Sequence, residues 1–157
     1  FSDIQIRLKE LGNETLLITL MRRAMLRISS ELGQRRACKA IITGDSLGQV
    51  ASQTLPSMTV IDQAAGIPIL RPLIMMDKKE IVSKARMIGT FPISIQPYED
   101  CCTLFVPKSP STNPNPSVID RLEQQAAWLE DSINEAINNT VSVTINERMT
   151  RESDSYF

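Results

Sequence analysis

The stretch Lys39-Ala-Ile-Ile-Thr-Gly-Asp-Ser-Leu-Gly-Gln-Val-Ala-Ser-Gln-Thr54 decides the fold. A short apolar run, Ala40 to Thr43, stops at Gly44 and Asp45. A helix signal follows at once: Ser46 is placed to cap, and Gln49 sits three residues later at capping-box spacing. Strand, glycine turn and helix in that order is how an open α/β sheet builds a ligand crevice at the carboxyl ends of its strands. Gly44 permits close approach of the backbone to a ligand, and a helix starting there offers free N–H groups to a phosphate or carbonyl oxygen. The pattern is neither GxGxxG nor GxxxxGK, so the dinucleotide fingerprint and the Walker loop do not apply. From these residues alone an ordinary strand-to-helix turn is the favoured reading.

Upstream, Ile4, Leu8 and Leu11 fall at helical spacing, and a longer helix is expected over 15–36. Leu17, Met21, Ala24, Ile28 and Leu32 form its apolar stripe, widened by Met25. Arg22, Arg23 and Arg27 lie largely off that stripe, either as a solvated face or with Arg22 or Arg23 reaching a phosphate. Cys38, among alanines, reads as a small core residue, inert when buried.

Downstream, Leu55-Pro56 is expected to stop or bend the helix. A short helical piece follows over 57–65 with Met58, Ile61 and Ala65 inward, then a very short strand at 68–71 framed by Pro68 and Pro72. Asp77 and Glu80 mark a capping box, Met76 and Ile81 a hydrophobic staple, and Gly89 the stop. Ile81, Val82, Ala85 and Ile88 are the buried face of that helix. Residues 90–106 read as an irregular loop packed by Phe91, Ile93 and Ile95, ending in the adjacent Cys101 and Cys102. Glu99 and Asp100 would raise a neighbouring thiol pKa, so a reactive cysteine here needs a basic side chain or helix amino end from elsewhere. Two buried small residues are the competing reading. After a proline-rich connector at 107–116, Ser117 is expected to cap one helix to about 137, with Val118, Leu122, Trp128, Leu129, Ile133 and Ile137 on one side. Residues 141–145 alternate as an edge strand would, and the remainder is expected to be loosely held.

The whole chain sets bounds on these readings. Its 157 residues suit one domain, and 17 basic against 18 acidic residues leave no basic field that announces nucleic acid. No apolar run approaches a membrane span, and Phe1-Ser-Asp-Ile-Gln-Ile-Arg7 is not a signal peptide. With no initiator Met, the chain is expected to begin inside a longer protein. Three cysteines and no histidine argue against a disulfide framework, a histidine metal site or a histidine base, and fit the cytoplasm.

Six motifs in order carry a specific likeness: Met21-Arg22-Arg23-Ala-Met-Leu-Arg-Ile28, Thr43-Gly-Asp-Ser-Leu-Gly-Gln-Val-Ala-Ser-Gln-Thr-Leu55, Ile69-Leu-Arg-Pro-Leu-Ile74, Asp77-Lys78, Ile88-Gly-Thr90 and Tyr98-Glu-Asp-Cys-Cys102. Together they resemble the bacterial tRNA 4-thiouridine sulfurtransferase family, continuously over about residues 1–116 and more weakly beyond. The resemblance implies an α/β fold, a three-layer open parallel sheet of the PP-loop ATP pyrophosphatase (adenine nucleotide alpha hydrolase-like) type, N-terminally incomplete. It divides the chain into 1–116, a partial PP-loop domain without the Ser-Gly-Gly-x-Asp-Ser phosphate loop; 117–145, a helix and strand on the same domain or on a partner copy; and 146–157, a flexible tail.

By the same resemblance Arg22, Gly44 and Gln53 are ATP contacts and Cys101 the catalytic cysteine. Cys102, where many relatives have glycine, is a possible auxiliary thiol. The family's usual Gly-Glu-Ser-Leu-Gly stands here as Gly44-Asp-Ser-Leu-Gly48. The implied activity adenylates uridine 8 of tRNA and replaces its C4 oxygen with persulfide sulfur, and in some organisms also supplies sulfur for the thiamine thiazole. ATP and Mg²⁺ are the implied cofactors. tRNA, gripped mainly by domains outside this chain, and a cysteine desulfurase are the implied partners. A homodimer is left open, and this fragment alone is expected to be inactive. Two rival expectations are a PP-loop adenylating enzyme with another acceptor and a non-catalytic dimerisation module.

Overall fold

The computed structural model describes residues 1–97, 107 and 109–144. Helix α1 (Ser2–Glu10) buries Ile4 and Leu8 and ends at Gly12, whose φ of +73° lets the chain reverse. The Asn13 side chain accepts from the Leu16 N–H, capping a 3₁₀ turn (Glu14–Leu16) that runs straight into α2 (Leu17–Arg35). The expected stripe of α2 is inward, but Leu20 and Leu26 are buried too, because neighbours cover its first half on several sides. Helices α1 and α7 (Leu129–Asn138) pack on α2, as does α3 (Leu55–Asp62). Ile119 and Leu122 of α6 (Pro116–Gln125) join the same core.

Strands β1 (Ile41–Ile42) and β2 (Ile69–Leu70) pair in parallel, Ile41 opposite Ile69 and Ile42 opposite Leu70, with α3 in the connection between them. This corrects the expected three-layer open sheet. Among the described residues the sheet has two strands of two residues each, and its outer face leaves Ile42 and Leu70 exposed. The core is made by helix on helix instead. Among the described residues no helix is long and apolar enough to cross a membrane.

Several local expectations also need correcting. Pro56 does not end a helix but sits in the first turn of α3, where its missing N–H costs nothing; Thr54 is the cap, accepting from the Ser57 N–H. The same chemistry starts α6, with Asn115 as cap and Pro116 first, so Ser117 is not the cap. The single helix to 137 is broken at Ala126, whose ψ of 54° leaves the helical range, and α7 begins three residues later. Residues 141–144 form no strand; they make no ladder, and Val141 and Val143 are exposed. Cys38 is exposed, not buried.

Helix α4 (Lys78–Met87) has its full capping box, Asp77 accepting from the Glu80 N–H at 2.9 Å and Glu80 from the Asp77 N–H at 2.8 Å. Gly89 follows it at φ +77°. Yet none of its residues is buried: Ile81, Val82 and Ala85 are half-covered and Ile88 is exposed. Residues 91–94 form a short helix, α5 (Phe91–Ser94), in place of the expected loop, with Ile93 and Ile95 exposed. The expected tail at 146–157 lies outside the described residues.

Candidate functional site

Parallel pairing brings the carboxyl ends of β1 and β2 to one place, where an α/β unit puts its ligands. The ladder continues one step past the strands, the Thr43 N–H donating to the Leu70 carbonyl at 3.0 Å. What leaves β1 there is Thr43-Gly44-Asp45, and what leaves β2 is Arg71. No helix follows Ser46, contrary to expectation. Its hydroxyl donates to the Met76 carbonyl at 2.6 Å, and the Leu47 N–H to the Ile74 carbonyl at 3.0 Å. The Gly48 N–H closes onto the Gln53 carbonyl, with Gly48 at φ +76° and a 3₁₀ turn at Ala51–Gln53. The turn is therefore tied to the 70–76 segment by its backbone, not opened as a helix amino end.

Asp45 is the centre of the site and is only 4% exposed. Its Oδ1 accepts from Arg22 Nη2 at 2.6 Å and from Gln53 Nε2 at 3.2 Å. Its Oδ2 accepts from Thr43 Oγ1 at 2.8 Å and from Arg71 Nε at 3.1 Å. Burial alone would push this carboxyl's pKa up. The hydrogen bonds from Thr43, Arg22 and Arg71, with the charge of Arg22, outweigh it and hold the pKa below the ordinary value. Arg71 in turn grips Asp62 at the end of α3 with both terminal nitrogens, a bidentate fork. Burial lowers the pKa of its guanidinium, and Asp62 and Asp45 more than reverse that, so it is raised.

Arg22 reaches the cluster from α2 and also donates to the Ser52 hydroxyl at 3.1 Å and the Ser52 carbonyl at 3.4 Å. Its side chain stays 22% exposed. Gly44 is exposed, and a Cβ built on it would meet nothing within 4 Å. The structure thus brings together Arg22 and Gln53 on Asp45, next in sequence to Gly44. Gln53 Oε1 is shielded from solvent and has no hydrogen-bond partner among the described residues. Cys101 and Cys102 lie outside the described residues.

The cluster Arg22, Arg23 and Arg27 of α2 divides. Arg23 is buried, forked onto both Glu123 oxygens at 2.8 Å and donating to the Val60 carbonyl at 2.6 Å, so it ties α2 to α3 and α6. Arg27 pairs with Glu123 and Glu130. Neither is a solvated face, and neither joins the Asp45 cluster.

Sequence reasoning passed over Asp45, Thr43, Ser52, Asp62 and Arg71 as site residues. A signal existed for two of them: Asp45 and Arg71 each stand just past a short apolar run, where parallel strands would deliver them side by side. A cavity of about 790 Å³ between α1, α2 and α7 shares no residue with this cluster. The convergence of charge, not void volume, marks the site.

The model of the family described as "Thiamine biosynthesis protein (ThiI)" matches residues 1–128. The chain belongs to this family. Among curated relatives of this ThiI-family chain, a "Probable tRNA sulfurtransferase" of Brevibacillus brevis is 49% identical over 136 residues, 85% of this chain and 34% of the relative. One of Geobacillus kaustophilus is 46% identical over 157 residues, 99% of this chain and 38% of the relative. The crystal structure of a 4-thiouridine synthetase–RNA complex with bound ATP is similar at a TM-score of 0.82 and 39% identity, over 87% of this chain and 36% of that one. The ThiI-family chain therefore spans little more than a third of the proteins it matches.

Proposed function

We propose that the protein carrying this chain is a tRNA sulfurtransferase that uses ATP to adenylate uridine 8 and then replaces its C4 oxygen with sulfur, giving 4-thiouridine. The convergence of Arg22 and Gln53 on Asp45 beside Gly44 carries this reading, because Arg22, Gly44 and Gln53 are the residues the resemblance assigns to ATP. The relatives' names and the likeness to an ATP-bound synthetase–RNA complex support it.

ATP, when bound, turns the C4 oxygen into a leaving group as AMP. The residues present fit a nucleotide: Gly44 leaves its approach open, the Arg22 side chain is partly exposed, and Gln53 carries an acceptor without a donor among the described residues. Arg22 holds phosphate charge by direct pairing, while Asp45 keeps its guanidinium in place. The residues described do not fit Mg²⁺. Asp45 and Asp62 are both engaged by guanidinium groups, and among the described residues no cluster of three or more His, Cys, Asp or Glu side chains gathers.

Cys101 is the residue we assign to sulfur handling: its thiolate attacks the outer sulfur of the persulfide on a cysteine desulfurase, the S–S bond breaks and the donor's cysteine leaves as thiolate, with Cys102 as the neighbour of Cys101. Residues 1–116 are then the nucleotide-holding segment of a cytoplasmic enzyme whose grip on tRNA lies mainly outside this chain. The family description favours a second use of the same sulfur, in thiamine synthesis.

The test is tRNA thiolation by the intact protein with desulfurase, cysteine and Mg-ATP, with AMP release followed in parallel. Cys101→Ser is expected to abolish 4-thiouridine and Cys102→Ser to retain most of it. Normal thiolation by Cys101→Ser would return the cysteine pair to a structural role.

A further inference from the structure

Within the cluster, the orientation of the Gln53 amide is decided by chemistry. A carboxylate can only accept, and Asp45 Oδ1 faces the Gln53 amide at 3.2 Å, so the group facing it must be the amide's NH₂. The carbonyl end is thereby turned away from Asp45. That end, Oε1, is shielded from solvent and finds no donor among the described residues. A buried acceptor left unpaired is costly, and native structures keep few of them, so a ligand that brings a donor recovers what folding leaves unmade. Asp45 cannot turn to relieve it: Thr43, Arg22 and Arg71 hold its two oxygens from three directions, and Asp62 holds Arg71.

We propose that Asp45 is a positioning residue that locks the Gln53 amide so that Oε1 accepts a hydrogen bond from the bound nucleotide, making Gln53 a specificity-determining residue for a ligand with a donor at that point. This assignment rests on the nucleotide reading above and adds to it a direction, acceptor and not donor, and a cause, the Asp45 carboxylate. In a nucleotide the donor is either the exocyclic amine of the base or a ribose hydroxyl; both supply an N–H or O–H to the same oxygen. A neutral side chain at position 45 would leave the amide free to turn and present either end. Loss of Asp45 thus erases a preference, whereas damage to the fold alone weakens all nucleotides together.

The experiment compares dissociation constants of the intact protein for ATP, purine riboside triphosphate, 2′-deoxyATP and 3′-deoxyATP. Wild type is expected to bind one of the three analogues about tenfold more weakly than ATP, the scale of one hydrogen bond to a ligand, and which one identifies the donor. Asp45→Ala is expected to bring that ratio close to one. Gln53→Met, which leaves the Asp45 ion pairs untouched, is expected to do the same and decides the matter if Asp45→Ala does not fold. A wild-type ratio retained by Gln53→Met, or by a folded Asp45→Ala, overturns the proposal. So does a wild type that binds ATP and all three analogues equally. A wild type that binds no ATP overturns the nucleotide reading itself, and the proposal with it.

Discussion

In the body built from α1, α2, α6 and α7, apolar side chains such as Ile4, Ala24, Ile119 and Ile133 are closed off by aliphatic neighbours from several elements. At the carboxyl ends of β1 and β2, order comes from a carboxylate with four donors around it. The first region is held by area, which is non-directional and forgiving of small shifts. The second is held by hydrogen-bonded charge, in which each group's direction is specified and loss of one partner strands the others. The body therefore carries stability, and the strand ends carry geometry.

Three measurements press on that contrast. The largest effect is expected at Ile119, which is fully buried: Ile119→Ala should cost about 2–5 kcal/mol of unfolding free energy, read by denaturant titration. A cost under about 1 kcal/mol would mean that α6 is not part of the cooperative body.

A smaller effect is expected from titrating Asp45. Its folded pKa lies below the ordinary 3.8, so the stability it contributes is fully present above that value and is lost as pH falls through the lower folded one. Asp45→Asn should accordingly be less stable than wild type at neutral pH, with the gap closing below about pH 4. A gap that stays constant on acidification would show that packing, and not charge, holds the cluster.

The smallest effect belongs to α4, which has a complete capping box but no buried residue. Asp77→Ala should cost about 1 kcal/mol locally, seen as faster amide exchange over 78–87 and little change in the global transition. A shift of the whole transition would place α4 with the body.

The same contrast governs what could be read from the chain. The inward faces of α1 and α2 were legible because burial writes a period into consecutive residues. Pro56 misled because proline stops a helix from within but starts one from its first turn, and only the cap Thr54 tells the cases apart; Pro116, read as the end of a connector, opens α6 behind the cap Asn115 in the same way. Ser46 had the spacing of a cap, yet its hydroxyl goes to Met76, thirty residues away. The three-layer open sheet was what the resemblance implied, whereas the two short strands found here pair only with each other among the described residues. At the site, the resemblance singled out Arg22, Gly44 and Gln53, but not the carboxylate that two of them share. Arg22 approaches Asp45 from a separate helix, 23 residues away, and no local pattern records that meeting.

The parallel ladder between β1 and β2 has only two residue pairs, too few to resist sliding by itself. A slip of one residue would send alternate side chains to the opposite face and carry Arg71 off Asp45. The Arg71–Asp45 salt bridge, which joins the end of one strand to the end of the other, therefore acts as a pin through a short hinge. In this molecule the strands do not simply align the site; the site also aligns the strands.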